Sequence, residues 1–292
     1  LYRYGLALEK NNLYDQAQRL YARAARDRYF GALARERLEA INLTRPAQAY
    51  GGVSEEVRQI IMSSPGQEAY PDASALILLS DEAVILSGDG RLTTEIHVVI
   101  KILNERGKES FGEVSLPYDA TYEKLELIGA RTIRPDGTVV SVGDKNIRDV
   151  SLYLNYPLYS NARARIISMP EVAPGAVIEY RARVVETKLP NKNDFDLVYW
   201  LQADEPILTE RCRVTVPEDV ALTTKIINNS YNTLGYDLNP VKTTEGKTRV
   251  YALSFNNVPQ IIPEPSMPPA SRVNPYILFS TFDSWQEVYL WW

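Results

Sequence analysis

The chain has 292 residues, 45% hydrophobic and 24% charged, with a net charge of −5 and one cysteine. That size suits two domains and that composition a folded globular protein. No apolar run is long enough to cross a bilayer, the acidic balance argues against general affinity for nucleic acid, and a lone cysteine excludes an internal disulfide.

The charge is uneven. Residues 1–45 carry nine Lys/Arg and five Asp/Glu, so that segment is +4 and the remainder −9. A basic helical region suits an acidic protein partner, and a solvated helix face accounts for the same charges. The same residues read as helices. Tyr4 and Leu8 share one face. Leu13, Ala17, Leu20, Tyr21 and Ala24 form a stripe of helical period, and Phe30, Leu33, Leu38 and Ile41 form another. Gly5, Tyr14, Ala17, Tyr21 and Ala24 fall at the spacing of a tetratricopeptide repeat, whose small residues let paired helices approach closely. The closing proline of that pattern is absent, and a plain helical hairpin is the other reading. One such unit cannot bury its own face, so further repeats before it are expected.

Residues 46–72 read as a connection, with Ser54 capping a short helix through Met62. Pro65-Gly66 and Pro71 then break any helix. From residue 73 onward the pattern is strand after strand. Ala75–Leu79 and Val84–Leu86 are apolar runs ending at Ser87-Gly88-Asp89-Gly90. Leu92, Thr94, Ile96, Val98, Ile100 and Ile102 then alternate with Arg91, Thr93, Glu95, His97 and Lys101, and Val99 is the one breach on the polar side. Together these predict a hairpin with one buried face. Period two returns at Ile178–Val184, at Cys212, Val214 and Val216, and at Tyr251, Leu253 and Phe255. Turn signals at Pro135-Asp136-Gly137, Ala173-Pro174-Gly175 and Asn228-Asn229-Ser230 punctuate the strands. No helix-length apolar pattern stands between them. The expected fold is mainly β: a large antiparallel β-sandwich over 73–258, with a barrel as the alternative, preceded by the small all-α segment.

Six prolines between 259 and 275 predict an extended, semi-rigid spacer. Tyr276–Ser280 is strand-like. Asp283 and Gln286 resemble a capping box, so a helix is expected to begin there. Trp285, Trp291 and Trp292 on that helix require a partner surface.

Six pieces, VVIKILNERGKES, SLPYD, GARTIRPDGTVV, MPEVAPGAVIEY, FNNVPQIIPEPSMPP and LFSTFDSWQEV, run in one order over roughly 75–290. In that order they resemble domain of unknown function 3857, the bacterial β-domain that precedes transglutaminase-like domains. The resemblance implies a β-sandwich, an extracytoplasmic location in the periplasm or at the cell surface, and a downstream transglutaminase-like domain as partner within one polypeptide. It supplies no ligand or catalytic residue. The chain thus divides into a tetratricopeptide-like segment (1–45), a connection (46–72), a β-sandwich (73–258), a proline-rich linker (259–275) and the start of a transglutaminase-like domain (276–292).

Candidate chemistry is sparse. A transglutaminase-like core needs a Cys nucleophile, a His base and an orienting Asp. The chain offers only Cys212 and His97. Cys212 reads as a buried small hydrophobe on a strand face, and His97 as a solvated histidine beside Glu95 and Lys101. Asp194, Asp196, Asp204 and Glu205 hold oxygen ligands but lack calcium-loop spacing. No catalytic residue, metal or cofactor is assigned. Tyr153, Tyr156 and Tyr159 form the candidate binding surface: tyrosines in a loop stack on a sugar or grip a peptide, unless the loop folds inward. The expected function is a non-catalytic accessory domain of a larger transglutaminase-like protein. The alternatives are a glycan- or peptide-binding module and an autonomous cysteine enzyme.

Overall fold

The structure is a computed structural model. It describes residues 1–10, 14–44, 50–153, 161–186, 195–262, 264–282, 284, 286, 287 and 289. The chain forms two compact units, one of residues 1–52 with 136–139, the other of residues 53–135 with 140–292.

The first unit holds α1 (Tyr2–Lys10), α2 (Tyr14–Ala24) and α3 (Gly31–Thr44). Ala17, Tyr21, Ala24, Leu8 and Ala34 are its core. A Cβ on Gly5 would sit 2.7 Å from the Tyr21 ring, so glycine is what lets α1 reach α2. The Asp27 carboxylate accepts from the backbone N–H groups of Tyr29 and Phe30 and shapes the turn into α3. Two expected stripes shift here. Tyr4 is exposed while Leu8 is buried, and α3 buries Gly31 and Ala34 while Phe30 and Leu33 face outward. Phe30 finds its packing on the ring of Tyr2 instead, at 5.5 Å between centroids. Leu13 and the side chain of Ile41 lie outside the described residues.

The second unit is mainly β. Its helix α4 (Glu55–Ser63) is capped by Ser54, whose hydroxyl accepts from the Val57 N–H. Then come β1 (Ala75–Leu86) and β2 (Leu92–Ile102), joined through Gly90 at φ +81°. A helix that the apolar pattern does not announce, α5 (Glu105–Phe111), follows. Apart from Gly107 and Phe111 its residues are polar, and it is held by its cap Asn104, by buried Gly107 and by the packing of Phe111 on the second apolar cluster. The strands continue as β3 (Glu113–Asp119), β4 (Glu123–Ile133), β5 (Val139–Ser141), β6 (Ile147–Ser151), β7 (Ala162–Ser168), β8 (Val177–Glu186) and β9 (Asp196–Trp200). After them stand β10 (Ile207–Pro217), β11 (Thr223–Ile227), β12 (Val241–Glu245), β13 (Thr248–Val258), α6 (Ala270–Val273) and β14 (Tyr276–Ser280).

Eight strands build one large sheet in the order β12-β13-β10-β1-β2-β8-β4-β5. Two three-stranded sheets, β11-β14-β9 and β3-β7-β6, stand beside it. The expectation of a wholly antiparallel arrangement fails at the centre, where β1 and β10 run parallel. Period-two alternation marks which residues face inward but not the direction of the neighbour.

A register shift between Ile77 and Leu79 adds one residue to β1. That bulge changes the parity of the strand, so Ala75 and Ile77 share a face with Ser80, Glu82, Val84 and Leu86. On this inner face one apolar cluster joins β1, β10 and β13 to β9 and β14. The other joins β2 and β8 to β3 and β7, and Ile77 packs against both. The opposite face is not purely polar. Val99 pairs with Leu79, and both are fully buried. Lys101 on this face donates to the carbonyls of Ser64 and Pro65 just past α4. The breach at Val99 therefore reflects a second covered patch.

The proline-dense segment is held to the β unit by hydrogen bonds. Ile261 N–H donates to Ala203 O, Gln202 donates to Pro259 O, and Asn228 donates to the carbonyls of Ser271 and Asn274. Residues 276–280, expected to open a further domain, are instead the central strand of the sheet β11-β14-β9, and Ile277 and Phe279 are fully buried there. Trp285, Trp291, Trp292 and Asp283 lie outside the described residues.

Candidate functional site

Two polar clusters sit on opposite faces of the large sheet. The outer one centres on Glu179 of β8, which is only 3% exposed. His97 of β2 places Nε2 3.0 Å from Glu179 Oε1, and Arg131 of β4 donates from Nε to Oε2 at 2.7 Å. Burial alone would raise the Glu179 carboxyl. The hydrogen bonds from His97 and Arg131 and the arginine charge outweigh it and hold the group at about 2. The cluster extends along the face. Arg183 bonds Glu95 at 2.7 Å and reaches Glu126, while Arg211 bonds Glu56 of α4 at 2.8 Å. The strand-to-strand pairs hold neighbouring strands at a set register, and Arg211–Glu56 fastens α4 to β10, which are structural tasks. The expectation of a solvated His97 is thereby corrected, since its side chain is 14% exposed and carboxylate-bound.

The inner cluster is set in the first apolar cluster, to which Tyr199 and Cys212 belong. Glu210 of β10 is buried, and the Tyr199 hydroxyl of β9 donates to its Oε1 at 2.9 Å. Its Oε2 has no hydrogen-bond partner. Burial pushes the Glu210 carboxyl up to about 8, the Tyr199 hydrogen bond opposes the rise, and the charge of Glu82 adds to it. Glu82 of β1 is half-buried and its carboxyl is also raised by burial. Cys212 is buried beside them as expected, paired in register with Glu82, and burial drives its thiol far above the ordinary range.

Cys212 and His97 thus stand on opposite faces of one sheet. Cys212 aligns with Glu82 of β1, whereas His97 aligns with the next residue, Asp81. Of the tyrosine loop, Tyr153 is described and is exposed just past β6, while Tyr156 and Tyr159 lie outside the described residues. Glu205 serves the fold: its carboxylate accepts from the N–H groups of Ser74 and Ala75 and from the Ser74 hydroxyl, pinning the start of β1. Asp194 lies outside the described residues. Among the described residues no group of three His, Cys, Asp or Glu gathers as a metal site. Reading the Cys212 alternation one step back would have found Glu210, an acid on an apolar face. Glu82 was hidden by the bulge.

A family model for the domain of unknown function with solved structure, DUF3857, matches residues 88–262. Curated proteins give no match. Among solved structures, a candidate protease from Parabacteroides distasonis is 19% identical at a TM-score of 0.65, over 72% of this chain and 41% of that one. An M1 zinc metallopeptidase from Deinococcus radiodurans is 12% identical over 70% and 42%, at a TM-score of only 0.35. A candidate nutrient-binding protein from Legionella pneumophila is 9% identical over 70% and 67%, at 0.33. The first likeness concerns the fold alone, and the chain spans about two fifths of that protein's length. With the family model covering more than half its residues, the chain belongs to the DUF3857 family.

Proposed function

We propose that the chain is a non-catalytic accessory domain, built as a β-sandwich, of a larger bacterial protein with a transglutaminase-like domain. Its location is extracytoplasmic, and the basic tetratricopeptide-like helices contact a protein partner. The observation that carries the reading is the placement of the one cysteine and the one histidine. They point from opposite faces of the large sheet, and the thiol is buried and held protonated. A Cys–His pair needs both groups within hydrogen-bond reach. The length of the Parabacteroides protein, of which this chain matches 41%, supports a larger whole. The test is a peptidase and acyl-transfer assay on the purified chain beside Cys212→Ala. Equal, background rates are expected. Thiol-dependent turnover that disappears in Cys212→Ala overturns the reading.

A second reading, a glycan- or peptide-binding module, rests on the exposed ring of Tyr153. It expects saturable binding in a glycan and peptide screen, weakened by Tyr153→Ala and Tyr156→Ala. Binding unchanged by alanine at Tyr153, Tyr156 and Tyr159 together removes this site.

A further inference from the structure

The two units answer their arginines differently. In the β unit Arg131, Arg148, Arg165, Arg183 and Arg211 each bond a carboxylate. In the helical unit Arg19, Arg23, Arg26 and Arg28 are exposed, and among the described residues none of their side chains bonds an acceptor. The negative end of the α2 macrodipole accounts for Arg23 in its last turn, but Arg26 and Arg28 stand past that helix. Arg23 and Arg26 do not sit on a flat face either. With Tyr2, Ala24, Asp27 and Phe30 they line a hollow of about 270 Å³. Tyr2 and Phe30 stack there at 5.5 Å with their planes 14° apart, and Phe30 is 39% exposed. The acid of that lining, Asp27, is engaged by the backbone N–H groups of Phe30 and Tyr29, which hold its carboxyl below the ordinary range. Two guanidinium groups against one carboxylate leave the rim of a partly aromatic hollow positive.

We propose that this hollow binds an acidic peptide segment, with an aromatic side chain of the peptide against Tyr2 and Phe30 and its neighbouring carboxylates on Arg23 and Arg26. The proposal rests on the reading of these helices as a unit that contacts a protein, and it names the chemistry of the partner. Arginine suits the task, because its planar fork meets a carboxylate through two parallel N–H···O bonds. The aromatic pair adds what a bare charge lacks, a preference for a peptide that carries an apolar ring between its acids. A bilayer fits less well. A helix that lies on a membrane offers it a broad apolar face, and the exposed side of α2 carries Arg19, Ala22 and Arg23.

The experiment measures fluorescence polarisation of a labelled peptide, one phenylalanine between two pairs of glutamates, as the full chain is added at low salt. The same peptide with glutamine for glutamate, the same peptide with alanine for phenylalanine, and phosphatidylglycerol vesicles are the comparisons. Saturable binding of the acidic peptide is expected, and it should fall as salt rises. Arg23→Gln with Arg26→Gln should weaken it at least about tenfold, and both positions are exposed, so the variant keeps the fold. Phe30→Ala and the alanine peptide should each weaken it less. Arg213→Gln, in the β unit, should leave it unchanged. Equal binding of the glutamine peptide, unchanged affinity in the double arginine variant, or an equal loss in Arg213→Gln overturns the acidic site while leaving the helices as a unit that contacts peptides. Vesicle binding without peptide binding overturns it in favour of a membrane. Saturation by none of the probes overturns both the site and the contact role of the helices.

Discussion

At the scale of single residues, Glu179 is where the chain concentrates electrostatic work. Its carboxylate is nearly sealed from solvent and answered by Arg131 and His97. Replacing it with glutamine deprives Arg131 of its counter-charge, and a broken buried pair costs about 3 kcal/mol. Denaturant unfolding of Glu179→Gln measures this, and a loss below about 1 kcal/mol would show the pair to be idle. The same group sets an acid limit. Its folded value, about 2, lies below the ordinary 4.5, so its stabilisation is complete above pH 4.5 and is lost as pH falls toward 2. About 3 kcal/mol should disappear over that window in the parent chain and not in Glu179→Gln, as unfolding at stepped pH would reveal. Cys212 presents the opposite case. Buried and held protonated, it should resist iodoacetamide in the folded protein and react fully in denaturant, which mass spectrometry resolves.

At the scale of elements, short helices depend on a few contacts that composition does not advertise. A Cβ on Gly107 of α5 would lie 2.1 Å from the Ser74 carbonyl oxygen, so that helix meets the start of β1 only through glycine. Gly107→Ala should therefore cost about 2 kcal/mol through forced displacement, read by thermal or denaturant unfolding. An unchanged midpoint would mean that α5 shifts freely. The cap of α4 at Ser54 was legible, because a hydroxyl before two acids and an apolar run names its own geometry. The helix α5 was not, because its stability comes from Asn104 and from the close approach at Gly107 rather than from an apolar face. The hairpin β1–β2 was legible from alternation and glycine turns. The bulge inside it was not, because a one-residue insertion leaves both halves apolar.

At the scale of the whole molecule, the chain divides into a helical unit and a larger β unit. The β unit has its own continuous apolar clusters, and the helical unit a small one of its own. A chain starting at Val53 should therefore keep the far-ultraviolet signature of the sheets and a cooperative unfolding transition. Circular dichroism of that fragment checks this, and loss of cooperativity would show that the helices are needed for the β unit to fold. The strand β14 must be included in any such fragment, since Ile277 and Phe279 complete the inner cluster.

The amino-acid sequence by itself determined the mainly β character, the helical beginning, the turns at Gly90, Gly137 and Gly175, the burial of Cys212 and the family. These follow from local periodicity, from glycine's freedom at positive φ and from motif order, all written in neighbouring residues. Only the tertiary structure decided the parallel pairing of β1 with β10, the membership of β14 in the β unit, the burial of His97 against Glu179 and the meeting of Glu82 with Glu210. Each of these joins strands far apart in the chain. A strand's alternation says which side chains turn inward, but which strand lies alongside, and in which direction, is settled by how the faces pack together.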